Sequence, residues 1–289
     1  MMAGFDLLAM LSLAAVVMIG MPHGAMDGAV AITTGHANTP RQMTGFILRY
    51  LALTALVVVV WMVIPIFTLT MFMLISLIHF GLGDHTANKR LGKTVQVICH
   101  GGLVVGLIPA VHFAEVEPIF LTLTGAVHIS QLQPLWGLII LINGVMVIAG
   151  GIYAVLAVMN RGLRRRFAEW LALLAAISLL PPLTGFALYF CCVHTPRHIL
   201  AVTRAIKAHD TETRILPLTI AFTIATWIMA AVTLMVTPSS IEIDDAVLRV
   251  VFIGLAALTV PHMILVDGVF RPKHLDRPPT KGPSHDHHA

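Results

Sequence analysis

The chain has 289 residues, 57% hydrophobic and only 11% charged, against roughly 25% charged residues in an ordinary soluble domain. That composition excludes a water-soluble globular fold and points to a polytopic membrane protein. The formal net charge of +4 reads as loop topology and contact with anionic lipid. No basic-aromatic interleaving accompanies it, so no nucleic-acid partner is expected.

Stretches free of Asp, Glu, Lys and Arg cover residues 7–26, 50–83, 94–114, 118–160, 170–196, 215–241 and 250–266. About 20 apolar residues cross a hydrocarbon core. Helices are preferred to a barrel, because alternating ten-residue segments are absent and unpaired strand edges are not tolerated in lipid. The first run lacks a basic flank and a small-residue cleavage site, and leads into Met21-Pro-His-Gly-Ala-Met-Asp27; it reads as a retained helix. Ile64-Pro65 splits the second run into helices near 45–64 and 66–83, and Pro181-Pro182 separates a short helix near 167–180 from one near 183–206.

Basic residues fall in alternate short loops: Arg41 and Arg49, then Lys89, Arg90 and Lys93, then Arg161, Arg164, Arg165 and Arg166. The positive-inside rule makes these cytoplasmic, with Glu115, Glu117, Glu242, Asp244 and Asp245 opposite. Residues 118–133 then form a re-entrant or interfacial segment. The expected fold is an all-α transmembrane helical bundle with eight or nine crossings and its amino terminus outside. Residues 1–270 form one membrane-embedded domain, and 271–289, rich in Pro, charge and His, form a disordered cytoplasmic tail.

Ionisable residues inside a bilayer are costly and mark function. His23, His79, His194 and His262 lie about 17, 13, 11 and 16 residues from the outer ends of their helices, a depth of some 16–26 Å at about 1.5 Å per residue. All four helices run inward in this scheme, so the four imidazoles share a layer. His198 follows His194 by four residues, on the same helix face, where two imidazoles can hold one metal or simply hydrogen-bond as a packing pair.

Asp27 lies one turn after His23 and reads as a carboxylate that orients that imidazole, ahead of direct ligation. Asp84 either orients a ligand or caps its helix, and His85 caps the helix end. Asp267 is a poorer face match to His262. His100, His112 and His128 are each expected to be satisfied by a nearby carbonyl, carboxylate or water. Cys99, Cys191 and Cys192 suggest no disulfide framework, and Cys191 reads as a small core residue ahead of a ligand.

Four blocks carry a resemblance: Gly20-Met-Pro-His-Gly-Ala-Met-Asp27, His79-Phe-Gly-Leu-Gly-Asp84, His194-Thr-Pro-Arg-His198 and Pro261-His262. Through them the chain resembles the Brp/Blh family of membrane β-carotene 15,15'-dioxygenases. The resemblance implies a nonhaem Fe(II) enzyme that cleaves the central double bond of β-carotene with dioxygen to give two retinal molecules. It implies His23, His79, His194 and His198 as the iron ligands, with Asp27 in the catalytic set and His262 nearby without ligating. Residues 1–270 then become the catalytic domain of an integral protein of a bacterial or archaeal inner membrane. A retinal-accepting opsin is a conceivable partner that the residues do not derive. In the third block Val193 precedes the first histidine and Pro196 sits inside the pair, which is expected to bend the helix and alter the His194–His198 distance.

Iron suits this setting because imidazoles bind Fe(II), which activates dioxygen, whereas Zn(II) offers no redox change. Met71, Phe72, Met73 and Phe80 supply adaptable apolar walls for a polyene that enters from the bilayer. Two other readings stand beside this one. A diiron membrane hydroxylase or desaturase calls for further clustered histidines, and HxxHH is absent. A haem-binding or transport protein also places histidines on opposed helices.

Overall fold

The computed structural model describes residues 5–87, 89–209 and 214–275, and every regular element in them is helical. Seven helices are long and apolar enough to cross a membrane: α1 (Leu7–Thr33), α2 (Pro40–Val63), α3 (Pro65–Asp84), α4 (Arg90–Val111), α6 (Ile129–Met159), α9 (Ile215–Val236) and α10 (Ile243–Arg271). Between them lie α5 (Phe113–Thr124), α7 (Arg161–Leu179) and α8, a continuous rod over 182–209. The expected all-α membrane bundle is therefore present, and the expected count of eight or nine gives way to seven clear candidates.

The difference has a physical origin. The uncharged run 170–196 is shared between two helices that meet at Pro181. The first of them carries Arg164, Arg165 and Arg166, and the second carries Arg197, Arg204 and Lys207, so neither has a wholly apolar window of spanning length. The helix α5 has only 12 residues, less than the roughly 20 needed to span. The expected domain boundary at residue 271 falls inside a helix that continues to Leu275. Residues 276–289 of the expected tail lie outside the described residues.

Local chemistry explains the breaks. The Thr39 side chain caps α2 in a reciprocal capping box with Gln42, with Pro40 in the first turn. That helix stops at Ile64, because Pro65 disfavours the helical conformation of the residue before it while serving well as the first residue of α3. The end of α5 is a left-handed Gly125 with φ 67°, a conformation that costs glycine little.

The tightest helix pair is α3 against α4. A Cβ on Gly81 would stand 2.3 Å from the Val97 carbonyl oxygen, and one on Gly101 would stand 2.0 Å from that of Leu77. These glycines let two backbones touch where any side chain would wedge them apart. Buried side chains tie further backbones together, with Trp170 Nε1 donating to the Cys99 carbonyl at 3.0 Å and Trp61 Nε1 donating to that of Leu123 at 2.9 Å. At the periphery, α2 and α9 bury only 11% and 6% of their spanning windows, as expected of helices that face lipid.

Gly101→Ala should destabilise the bundle by about 1–3 kcal/mol or more through overpacking against backbone. Gly137→Ala, where a Cβ meets nothing within 4 Å, should be neutral or slightly stabilising. Thermal unfolding midpoints of the two variants in detergent check the contrast.

Candidate metal centre

Three of the helices that carry the sequence-selected histidines are locally unwound. A wide π-type turn over Val16–Gly20 runs into a tight turn over Met21–Met26 that contains Pro22 and His23. Another π-type turn spans Phe190–His194, and a third begins at Ile264, just after Pro261 and His262. Proline removes a backbone donor and crowds the preceding turn, and an inserted wide turn relieves both conflicts. The expected effect of Pro196 takes this form: the residues before it absorb the strain, and α8 continues through His198 without a break.

His23, His79, His194, His198 and His262 converge, all buried. The His23 ring lies 6.3 Å from His79, 5.6 Å from His194, 5.2 Å from His198 and 5.3 Å from His262, centroid to centroid. His79 lies 5.0 Å from His194 and 5.1 Å from His262, and His194 lies 5.8 Å from His198. Candidate ligand atoms of His23, His79 and His194 all fall within 4.8 Å of one another. His79 Nε2 and His194 Nε2 are 3.3 Å apart. Two imidazole nitrogens at about 2.1 Å from one ion stand roughly 3.0–3.4 Å apart at octahedral to tetrahedral angles, so this pair has the separation a shared metal requires.

The outer nitrogens show how the inner ones are aimed. His79 Nδ1 donates to Asp267 Oδ2 at 2.9 Å, and His194 Nδ1 to Asp84 Oδ2 at 3.3 Å. His262 Nδ1 donates to Asp27 Oδ1 at 2.8 Å, and His23 Nδ1 to the Gly20 carbonyl at 2.5 Å. With Nδ1–H committed outward, each ring turns its Nε2 lone pair inward. His198 Nε2 and His262 Nε2 are buried without a hydrogen-bond partner among the described residues, a costly state that a bound cation would relieve. The donor set therefore fits a metal that prefers imidazole nitrogen.

The carboxylates are supported in turn. Tyr189 donates to Asp84 Oδ2 at 2.8 Å and Arg197 to Asp84 Oδ1 at 3.2 Å, while Arg197 also pairs with Glu169. Tyr50 donates to Asp27 Oδ2 at 2.8 Å, and Arg271 Nε to Asp267 Oδ1 at 2.8 Å. The motif glycines have separate jobs here. A Cβ on Gly83 would stand 2.6 Å from His194 Cε1, so Gly83 makes room for that imidazole. Gly20 leaves space for the Phe190 ring, 2.3 Å from where its Cβ would be.

Several expectations change on this geometry. Asp27 orients His262 rather than His23, whose outer nitrogen is held by a backbone carbonyl. Asp267 belongs to His79 rather than to His262. Asp84 takes the orienting role, through His194, and His85 binds the Leu82 carbonyl at the helix end. His112 is satisfied by the Ile177 carbonyl at 3.0 Å, and His128 caps the turn that follows it. His100 departs from expectation, because both of its ring nitrogens are buried and unpartnered among the described residues. Cys191 is buried and is absent from the ligand group found among the described residues.

An apolar cavity opens on the cluster, bordered by His23, His79, Phe72, Met73, Phe80 and Phe190 among others. A family model described as β-carotene 15,15'-dioxygenase matches residues 14–269. The chain belongs to that family. The β-carotene 15,15'-dioxygenase of the uncultured marine bacterium 66A03 is 33% identical over 270 residues, covering 93% of this chain and 96% of that protein. The probable β-carotene 15,15'-dioxygenase Blh of Halobacterium salinarum is 27% identical over 223 residues, covering 64% of this chain and 59% of that protein. No solved structure matches the chain.

Removing an orienting carboxylate should weaken metal binding about 10–100-fold. Asp267→Asn is expected to do so through His79 and Asp84→Asn through His194, with the protein still inserted in the membrane. Metal titration of the purified variants reads the loss, and unchanged affinity in both would contradict the orienting role. Asp27→Asn, acting on His262, should leave the His23 orientation and most of the bound metal in place.

Proposed function

We propose that this protein is a nonhaem iron dioxygenase that cleaves the central 15,15' double bond of β-carotene to give two molecules of retinal. The observation that carries the reading is a buried group of five imidazoles, four of them turned inward by an outward hydrogen bond, on the edge of an apolar cavity inside a membrane bundle. Fe(II) is held by His23, His79, His194 and His198, and when bound it supplies the activation of dioxygen that no side chain of this protein can provide. The reaction balances without an external reductant, because both atoms of dioxygen can be accounted for in the two new aldehyde groups.

The protein's own residues bind and orient. The apolar wall formed by Phe72, Met73, Phe80 and Phe190 holds the polyene and excludes water from the reacting bond. Asp267 and Asp84 fix the tautomers of His79 and His194, keeping the lone pairs aimed at one point. His194 and His198 do not border the cavity, so the polyene approaches from the side of His23 and His79.

A diiron hydroxylase is disfavoured by the same geometry, because Asp27, Asp84 and Asp267 bind the outer Nδ1 atoms and leave the cluster without a carboxylate ligand among the described residues. Counting α7 and α8 as crossings alongside the seven apolar helices gives nine. In that arrangement all four histidine-bearing helices run inward from an outside amino terminus. The setting is a bacterial or archaeal inner membrane, from which β-carotene enters laterally and into which retinal leaves.

The test is purified protein loaded with one Fe(II), incubated with all-trans β-carotene in detergent or bilayer. Retinal should be the sole cleavage product, and its formation should require both iron and dioxygen. Alanine at His23, His79, His194 or His198 should reduce iron occupancy and abolish retinal formation. Longer apocarotenals would show eccentric cleavage, and unchanged carotene with iron-loaded, folded protein would overturn the reading.

A further inference from the structure

Behind His194 four charged side chains of alternating sign form a row that starts at the imidazole cluster and ends at Arg166, in the basic first half of α7. Asp84 Oδ2 accepts from Tyr189 at 2.8 Å and from His194 Nδ1 at 3.3 Å, while its Oδ1 accepts from Arg197 at 3.2 Å. The other terminal nitrogen of Arg197 donates to Glu169 Oε1, and Glu169 Oε2 accepts from Arg166 at 3.2 Å. Asp84 closes α3 and Arg197 lies on α8. Glu169 comes from α7, a helix that carries no histidine of the cluster.

A guanidinium beside a single carboxylate tends to take both oxygens through two parallel N–H bonds. Here that would place a cationic donor on Asp84 Oδ2, the atom that His194 uses. At 3.3 Å the His194 contact is the longest of the three at this carboxylate, just outside the usual range of about 2.7–3.2 Å for such bonds, so it is the one that yields to a charged competitor. Glu169 removes the competition by holding the second nitrogen. It does so from the partly exposed flank of the row, where an Arg–Glu pair contributes little stability by itself. Its effect is to set where the guanidinium points.

Resting on the reading of His194 as an iron ligand, we propose that Glu169 is a positioning residue for the metal centre: it keeps Arg197 on Oδ1 of Asp84 and so reserves Oδ2 for His194. With Glu169 in place the imidazole holds Nδ1–H outward and its Nε2 inward, 3.3 Å from that of His79. Without it the guanidinium closes on both oxygens, Nδ1 loses its acceptor, and the ring is free to turn or change tautomer. Arg197 therefore acts in two opposed ways, neutralising the buried Asp84 and competing with the ligand for it. Glu169 separates the two effects.

The experiment titrates Fe(II) anaerobically into the metal-free protein in detergent. Glu169→Ala should weaken Fe(II) binding about tenfold, at the lower end of what loss of an outer hydrogen-bond partner costs. Glu169→Gln keeps an oxygen for Arg197 and should stay within about threefold of the wild type. The double variant Glu169→Ala/Arg197→Gln removes the fork, leaves one neutral donor for Asp84 Oδ1, and should recover most of the affinity lost in Glu169→Ala. A pure charge effect would make Glu169→Gln as weak as Glu169→Ala, and a packing role would leave the double variant as weak as the single one. Glu169→Leu takes the place of the alanine variant if that protein unfolds before metal is added, as judged by its thermal midpoint. Undiminished binding in Glu169→Ala, a loss of equal size in Glu169→Gln, or no recovery in the double variant would overturn the assignment and leave the metal centre standing. If the wild-type protein binds no Fe(II), the metal-centre reading itself fails, and this proposal with it.

Discussion

An imidazole buried among hydrocarbon side chains must place two nitrogens, and in this protein the outer one decides the rest. Leaving a polar atom unpaired in such surroundings costs several kcal/mol, so His79, His194 and His262 each reach an aspartate, and His23 reaches the Gly20 carbonyl in the irregular turn before Pro22. A buried carboxylate in turn needs its own partners. Tyr189 and Arg197 serve Asp84, Tyr50 serves Asp27 and Arg271 serves Asp267. The aspartate-bearing chains of hydrogen bonds therefore run outward from the cluster through a second set of partners. The helices must meet at fixed rotations for those chains to close, which is why the glycines and π-type turns gather around the same five rings.

The convergence of the cluster was legible in the sequence, because helix length is linear in residue number and the four histidine-bearing helices were read as sharing a direction. His23, His79, His194 and His262 could be placed in one layer by counting, and His198 by its helical spacing from His194. The aspartate partners were not legible. Counting along a helix favours Asp27 with His23 and makes Asp267 a candidate for His262, yet the bonds formed run between helices, over separations of 235 and 188 residues. Periodicity reports which residues share a face and carries no information on the rotation of one helix against another. The crossing number was only partly legible for a related reason: hydropathy marks uncharged runs, and Pro181 divides one such run between helices whose remaining turns carry arginines.

The glycines of the His79-Phe-Gly-Leu-Gly-Asp84 block show how closely function and packing are interleaved. Gly81 faces the Val97 backbone and Gly83 the His194 ring, two residues apart and so on different sides of α3. One fixes the separation of α3 from α4, and the other admits the His194 imidazole from α8. Beside them, His79 and Asp84 send one side chain into the cluster and one behind it. Six consecutive residues thus set a helix contact, one imidazole of the cluster, the space for a second and that second ring's orienting carboxylate. A substitution at either glycine would be felt at the imidazole cluster, although neither contributes a ring.

The imidazoles also separate two kinds of environment. On their Nδ1 side lie carboxylates, arginines and tyrosine hydroxyls. On the side of His23 and His79 lies a cavity walled mainly by Leu, Val, Phe and Met. A soluble protein would have to seal such cavities against water, whereas here the surrounding phase is itself apolar and already concentrates both a polyene and dioxygen. The fold can therefore leave its outer wall to a lightly packed helix such as α9 while concentrating its close packing at the glycine contacts and the ligand-orienting network. The tolerance needed to admit and release a long apolar molecule and the rigidity needed to aim several lone pairs are thus assigned to different helices of the same bundle.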